Sequence, residues 1–259
     1  MNQLTFSIKA IAALWSRNAK VWFRWVYSSV AGNVFNPILY FFSFGFGLGA
    51  VVETMEGMPY IAYIVPGMMC YAAMFNSSFE TTIGAYSRFQ TQRTYDAILA
   101  TPVGLHQVML GEIAWAVTKA LLSTSGVMVA AYLFNAIPAG FEALSAFPII
   151  VIGAVTFAIS GLYFTSIANS YEFFNYYFTF WVTPNFLFTG VFFSMDRFPE
   201  WVQTISSFIP MTHFINVTRP LILGGDFSIS MLQPLGYLAT ISIIGYVLAY
   251  RNLKKRLFD

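Results

Sequence analysis

The sequence predicts an all-α integral membrane protein with six transmembrane helices, an N-terminal amphipathic interfacial helix and two short re-entrant exterior helices before the last span. Three observations support this fold class. First, 58% of the 259 residues are hydrophobic and only 9% are charged, whereas soluble domains carry about 25% charged residues. Second, apolar runs of about 20 residues, long enough to cross a bilayer, recur along the chain. Third, the basic residues cluster in alternate connecting segments. We expect one membrane domain over residues 1–259.

Residues 1–28 predict an amphipathic helix that lies in the membrane interface. Arg17, Lys20 and Arg24 are three and four residues apart and share one helix face. Trp15 and Trp22 fall on another face, and tryptophan favours the headgroup level of a bilayer. The same residues also fit an ordinary basic flank before a first span, and the two interpretations are compatible.

The six expected spans are each long enough to cross a hydrocarbon core of about 30 Å. They lie near Val30–Val52, Tyr60–Thr82, Val108–Phe134, Phe147–Ala168, Phe174–Phe193 and Leu232–Tyr250. An even number of spans places both termini on one side of the membrane. Ten of the 13 basic residues then fall on that side and two on the other. Because basic residues are enriched in cytoplasmic loops, we expect both termini in the cytoplasm.

Polar side chains fill residues 86–107, between the second and third expected spans. A segment this polar cannot lie in hydrocarbon, where each unmet polar group costs several kcal/mol. A short helix is expected from Ser87 to Leu99, with a stop at Thr101-Pro102, because the residue before proline disfavours helical backbone angles. Such a helix at the cytoplasmic surface suits docking by a soluble partner, but a solvated connector explains the polarity as well.

Residues 194–225 form an exterior segment that differs from a simple loop. Pro199 suits the first turn of one helix, and Pro210 separates it from a second helix over residues 211–223. The pair Gly224-Gly225 ends the second helix. Both helices are too apolar for water and too short to span, so we expect them to dip into the outer leaflet under protein cover.

Several common chemical motifs are absent from the sequence. There is no GxxxxGK[ST] phosphate loop, and no HExxH, GxSxG or paired-histidine spacing. His106 and His213 fall on opposite sides of the membrane in the expected topology, so they cannot share a site. The single cysteine, Cys70, allows neither an internal disulfide nor a CxxC metal site. We expect no catalytic residue, metal site or cofactor in this chain.

Three charged residues lie within the expected spans. Glu80 is near the end of the second span, and Glu112 and Lys119 share one face of the third. Charges inside a membrane are functional by default. Yet both carboxylates lie within about two helical turns of the cytoplasmic surface, where water reaches them. We favour a structural cluster that anchors residues 86–107, and a direct role in gating is the alternative.

The exterior segment carries a family resemblance. Pro210-Met211-Thr212-His213, followed by five residues and then Arg219, resembles the signature of ABC-2 type permeases, the membrane subunits of one class of ABC exporter. Gly190 and the Phe198-Pro199-Glu200-Trp201 step upstream also resemble that signature. Ser194 departs from it, since many members carry proline there. Residues 79–120 are most similar to the nodulation lipo-oligosaccharide exporter branch of the family.

The resemblance implies a half-exporter that pairs with a second copy and with two copies of a cytoplasmic ABC ATPase subunit, which would bind ATP and magnesium. In the family, the loop after the second span carries the coupling helix that enters a cleft on the ATPase. Carried over to this sequence, the coupling contacts would be Arg88, Arg93, Tyr95, Asp96, Ile98, Leu99 and Pro102. The resemblance also implies a bacterial inner-membrane location, contacts with membrane lipids and no nucleic-acid partner.

In the family, the first and fifth spans form the dimer seam and the substrate route. The aromatic side chains of these spans that could line a route are Phe41, Phe44, Tyr176, Tyr177, Phe180 and Trp181. Sugar rings stack on such side chains, so a lipid-linked saccharide or similar amphiphile is the expected substrate. Lipid-facing or packing aromatics are the alternative interpretation for each residue taken singly. A hydrophobic drug is the alternative substrate, and a glycolipid-modifying enzyme using Glu80 or His213, or a non-energised channel, is an alternative function.

Overall fold

The computed structural model describes residues 7–137 and 142–258. Residues 1–6, where the expected interfacial helix starts, residues 138–141 and residue 259 lie outside the described parts. Within them, the regular secondary structure is helical apart from one two-stranded antiparallel hairpin, β1 (Thr54–Met55) with β2 (Met58–Pro59). The α-helices are α1 Ile8–Phe23, α2 Val26–Val30, α3 Asn36–Gly47, α4 Tyr60–Phe79, α5 Thr94–Leu99, α6 Leu105–Leu133, α7 Phe147–Ile167, α8 Phe173–Tyr177, α9 Thr183–Leu187, α10 Glu200–Ser206, α11 Pro210–Ile222 and α12 Leu232–Phe258.

Several of these helices are joined by short π-helical or 3₁₀ segments, so they form longer continuous rods. The π-helical segments are Ala31–Phe35, Glu80–Gly84, Ser87–Thr91 and Phe178–Val182, and the 3₁₀ segments are Glu142–Ala146, Met195–Arg197 and Ile229–Met231. As a result, residues 26–47, 60–91 and 173–187 each run as one helical rod.

Helix α4 occupies the centre of the bundle. It packs against α3, α6, α7 and α11, and almost every side chain from Tyr63 to Ser78 is buried. Small side chains permit these close contacts. A Cβ atom on Gly67, for example, would lie 2.9 Å from the Cα atom of Val191. The core therefore forms around the second expected span, which runs from one end of the bundle to the other.

Three helices in the described parts are long and apolar enough to cross a membrane: Leu105–Leu133, Ala143–Ile167 and Ile229–Phe258. These match the third, fourth and sixth expected spans. The fifth differs, because its helix ends at Leu187 and not at Phe193. Beyond Leu187 the chain turns through Gly190, whose φ of +82° favours glycine. The count of six spans stays a prediction.

The coupling segment, residues 86–107, also differs in detail from expectation. The helix expected from Ser87 to Leu99 is two helices, because the rod of α4 continues to Thr91 and α5 begins only at Thr94. Arg93 separates them with a left-handed backbone, φ +48°. The expected stop at Thr101-Pro102 is observed, since α5 ends at Leu99 and α6 begins at Leu105.

The N-terminal helix α1 is shorter than the expected residues 1–28 and packs on α6. Leu14 lies against Gly111, where a Cβ atom would approach the Leu14 Cβ to 2.8 Å. The indole Nε1 of Trp15 donates a hydrogen bond to Thr118 at 2.9 Å. One face of α1 is thus committed to protein contact, while its position in a membrane interface stays a prediction.

We predict that Gly153→Ala destabilises the bundle by about 1–3 kcal/mol, because its Cβ would lie only 2.3–2.5 Å from the ring of Phe214, an overpacked contact. Gly236→Ala on α12 is the matched control, since nothing lies within 4 Å of its Cβ. The free energy of unfolding in mixed micelles measures both. Equal effects of the two substitutions would show that the contact between α7 and α11 is not tight.

Candidate functional site

A cluster of buried charges ties together the helices at one end of the bundle, which we call the coupling end because residues 86–107 lie there. Arg88 donates from Nη2 to the Glu80 carboxylate at 2.7 Å, and Lys119 donates from Nζ to the same carboxylate at 2.8 Å. Glu80 thus bridges two cations that come from different segments. All three side chains are at most 16% exposed.

Glu112 is the second carboxylate of the cluster. Arg88 donates to it from Nε at 2.9 Å and also from Nη2. Arg17 of α1 lies 3.6 Å away, and Asn18 donates from Nδ2 at 3.5 Å. Because Arg88 meets both carboxylates, its guanidinium joins the extension of α4, the third expected span and the coupling segment in one network.

Local structure explains how these side chains meet. Glu80 begins a π-helical segment that ends at Gly84, and a Cβ atom on Gly84 would lie 2.8 Å from a Glu80 carboxylate oxygen. A glycine at that position leaves room for the carboxylate. Burial by itself would lower the pKa of Arg88, but Glu112 and Glu80 outweigh it and raise that pKa, so the guanidinium stays charged.

The structure therefore brings together the expected anchor residues Glu80, Glu112 and Lys119. It also corrects the placement of Arg88, whose side chain lies in the cluster and not on the exposed surface expected of a docking contact. The participation of Arg17 was missed by sequence reasoning, which assigned it to the lipid interface. The spacing of the basic residues on α1 gave no signal that one of them faces a carboxylate 95 positions away.

The exposed face of the coupling segment is small and polar. Arg93 and Asp96 are 78% and 51% exposed and lie 3.9 Å apart as an i,i+3 pair. Pro102 is also exposed, whereas Ile98 and Leu99 are half-buried against the bundle. Tyr95, expected on the docking face, is buried instead, and its ring packs 5.7 Å from that of Phe89.

The residues of the family signature meet at the opposite end, which we call the signature end. The carbonyl of Gly190 accepts hydrogen bonds from Tyr63 at 3.2 Å and from Arg219 at 2.5 Å. The Arg219 guanidinium lies 4.1 Å from the centre of the Tyr63 ring. Pro199 and Pro210 stand at the starts of α10 and α11, as their fixed φ favours.

The two histidines serve separate contacts. His213 lies 2.8 Å from the Ser207 carbonyl through Nε2, and its ring lies 4.0 Å from that of Tyr237 on α12. His106 stacks on Tyr250 at 3.9 Å at the coupling end. They are at opposite ends of the bundle, so they form no catalytic pair.

The aromatic residues expected along a substrate route fall into three groups. Phe41 and Tyr177 are fully buried. The Tyr177 hydroxyl hydrogen-bonds Ser78 at 2.9 Å and Ser160 at 2.8 Å, so it fastens the fifth span to its neighbours. Phe44 and Trp181 are half-buried against the core. Tyr176 and Phe180 are 62% and 73% exposed and stack on each other at 6.4 Å.

Sequence reasoning missed the aromatic cluster that joins the first, second and fifth spans. Tyr71 stacks on Phe186 at 4.0 Å, and Phe44 meets Phe192 at 4.4 Å. Tyr40 lies 5.7 Å from Tyr71. The sequence shows only that each span is rich in aromatics, because contacts between residues on different spans leave no local pattern.

Comparison with known proteins accounts for this combination of features. The ABC-2 type transporter family matches residues 9–223, most of the chain. The chain belongs to the ABC-2 transporter family. It is 34% identical over 245 residues to nodulation protein J of Rhizobium leguminosarum bv. viciae, covering 95% of this chain and 94% of the relative. Nodulation protein J of Rhizobium meliloti (strain 1021) is also 34% identical, with 95% and 93% coverage.

A more distant relative is the inner membrane transport permease YadH of Escherichia coli (strain K12). It is 24% identical over 251 residues, covering 95% of each chain. The present chain is thus an ABC-2 permease, a multi-pass membrane protein and a transport subunit of an ABC exporter. Permeases of this family work with a separate ATPase subunit, so the chain is not the ATPase of its transporter.

We predict that Arg88→Gln destabilises the permease by about 3 kcal/mol, because it leaves two buried carboxylates short of a cation. Arg93→Gln removes only an exposed ion pair and should cost less than about 0.5 kcal/mol. Unfolding in mixed micelles measures both variants. If the two cost the same, the buried cluster is not what holds the coupling end together.

Proposed function

We propose that this permease exports a lipid-linked saccharide or similar amphiphile, as a homodimer that works with two copies of a separate ABC ATPase subunit. In this proposal the protein crosses the bacterial inner membrane six times, with both termini in the cytoplasm and with α10 and α11 dipping in from the exterior. ATP and magnesium bind the ATPase subunit, and this chain supplies the route through the membrane.

The observation that carries the proposal is the coupling segment, an exposed polar helix held on a rigid base. Arg93 and Asp96 face solvent, while the ion cluster fixes the preceding rod through Arg88. Movement imposed on α5 by an ATPase would pass directly to the rod over residues 60–91 and to α6. A contact that transmits movement between two subunits needs exposed charges to bind the partner and a rigid support beneath them, which the buried ion pairs provide.

Exposed apolar faces of the first and fifth spans support pairing of two copies there. The large hydrophobic side chains exposed on these spans include Phe35, Leu39, Phe46, Tyr176, Phe180 and Leu187. A seam formed by such faces would place the stacked pair Tyr176 and Phe180 beside the route. Aromatic faces accept the C–H surface of a sugar ring and also an acyl chain.

Export of a drug or other hydrophobic small molecule by the same mechanism is the alternative substrate, since the same faces suit it. A glycolipid-modifying enzyme has less support. Its two candidate groups lie at opposite ends of the bundle, with Glu80 ion-paired to Arg88 and Lys119 and His213 beside a backbone carbonyl. The two groups are too far apart to act together, and Glu80 is already paired with two cations.

Co-purification of the tagged permease in mild detergent, with mass analysis of its companions, tests the proposal. An ABC ATPase subunit in equal copy number, in an assembly that contains two permeases, is the expected result. Vesicles that hold this assembly should then take up the lipid-linked saccharide only when ATP is supplied. Uptake by the permease alone would contradict the mechanism and favour a channel.

We predict that Asp96→Lys reduces ATPase stimulation in the reconstituted assembly at least about tenfold, because it reverses one exposed charge on the docking face. Folding should be unaffected, since the ion pair that Asp96 forms within the described residues is an exposed one with Arg93. Glu200→Lys reverses an exposed charge at the signature end and is the matched control. Full stimulation in Asp96→Lys would remove α5 from the interface.

We also predict that Tyr176→Leu with Phe180→Leu lowers export several-fold while the unfolding midpoint changes little, because both rings are exposed. Tyr177→Leu should instead lower stability more than it lowers export. It removes two buried hydrogen bonds, to Ser78 and Ser160, and so should lower stability by about 1–3 kcal/mol. Export equal to wild type in the double variant would show that Tyr176 and Phe180 face lipid and do not line the route.

A further inference from the structure

A cavity of about 400 Å³ opens between the N-terminal helix and the coupling segment. Arg17 and Trp22 of α1 line it, together with Trp25 just beyond that helix, Trp115 of α6 and Arg88 of the ion cluster. Indole rings on its wall provide apolar surface, and the charged groups on the wall are two guanidinium groups and the carboxylate of Glu80, which is paired with Arg88 and Lys119. The cavity is therefore amphipathic, and no residue proposed for docking or for the substrate route lines it except Arg88.

The charges beside this cavity do not balance among the residues that the structure describes. Three cations share two carboxylates, which leaves these five side chains with a net charge of +1. The cations are Arg17, Arg88 and Lys119, and the carboxylates are Glu80 and Glu112. Arg17 holds the weakest of these ion pairs, at 3.6 Å, and its side chain is the most exposed of the five, at 30%. A ligand with one negative charge would neutralise the cluster.

Two hydrogen-bond donors of residues that line the cavity also lack an acceptor. Nη1 of Arg17 and Nε1 of Trp22 are buried and donate to no atom in the described parts of the chain. Buried donors are normally paired, so unpaired ones call for an explanation such as a bound ligand. A phosphate oxygen accepts hydrogen bonds from both guanidinium and indole nitrogens, and arginine pairs especially well with phosphate.

We propose that this cavity binds the singly charged phosphodiester headgroup of an anionic lipid, taken from the leaflet beside the coupling end. Arg17 and Trp22 donate to the phosphate oxygens. The neighbouring surface is aromatic and open, with Phe23 66%, Trp25 70% and Tyr27 91% exposed, and it suits the glycerol and first acyl carbons. A free phosphate ion would satisfy the donors but leave this surface uncovered. The proposal does not depend on which substrate is exported.

Native mass spectrometry of the purified permease in detergent tests this site. The probes are phosphatidylglycerol, phosphatidylcholine with the same acyl chains, and inorganic phosphate. We expect one tightly held phosphatidylglycerol, preferred about tenfold over the zwitterionic lipid. Arg17→Gln should abolish that preference, and Trp22→Phe, which keeps the ring and removes the donor, should weaken it about threefold. Lys20→Gln, an exposed cation on the same helix, should change it less than twofold.

Three results would overturn the proposal. Equal losses in Lys20→Gln and Arg17→Gln would mean diffuse attraction to positive charge. Displacement of the lipid by inorganic phosphate at equal concentration would mean that a free anion occupies the site. If size-exclusion chromatography shows that Arg17→Gln misfolds, the Trp22→Phe variant tests the site in its place. Unchanged lipid affinity in that variant would refute the site.

Discussion

The burial of two carboxylates at one end of a helical bundle is the constraint on which the coupling end depends. A buried carboxylate is strongly destabilising unless it is paired, and Glu80 and Glu112 come from different helices. Arg88 reaches both. It can do so because the rod of α4 continues unbroken past Glu80, which carries the guanidinium back over the third span. The start of the coupling segment is thereby fixed to the bundle, while α5 stays exposed.

The signature end is held by a different interaction. There the acceptor is the backbone carbonyl of Gly190, and Arg219 and Tyr63 both donate to it. Helix α4 supplies Tyr63 near its start, and the rod that continues from it supplies Arg88 near its end. The rod over residues 60–91 is therefore held at each end by an arginine contact. In the proposed exporter, this rod is a continuous physical link between the ATPase contact and the exterior helices.

Exposure divides the aromatic residues expected along the substrate route into outward-facing and packed side chains. Tyr176 and Tyr177 are adjacent in sequence, yet one faces outward and the other makes two buried hydrogen bonds. The same division applies to the coupling segment, where Asp96 is exposed and Tyr95 is buried. Residue type alone suggested equal roles for each pair. Helical rotation places neighbours about 100° apart, so only the packed structure assigns each side chain to a face.

The sequence by itself determined the helical membrane class, the third, fourth and sixth long helices, the two short helices after Pro199 and Pro210, and the family, because hydropathy, proline and a local signature are readable along the chain. It also placed Glu80, Glu112 and Lys119 in one cluster by their spacing and depth. Only the tertiary structure decided that the fifth helix ends at Leu187, that Arg88 points inward and that Arg17 joins the cluster. Those outcomes rest on contacts between residues far apart in sequence, where pairing and burial override any local pattern.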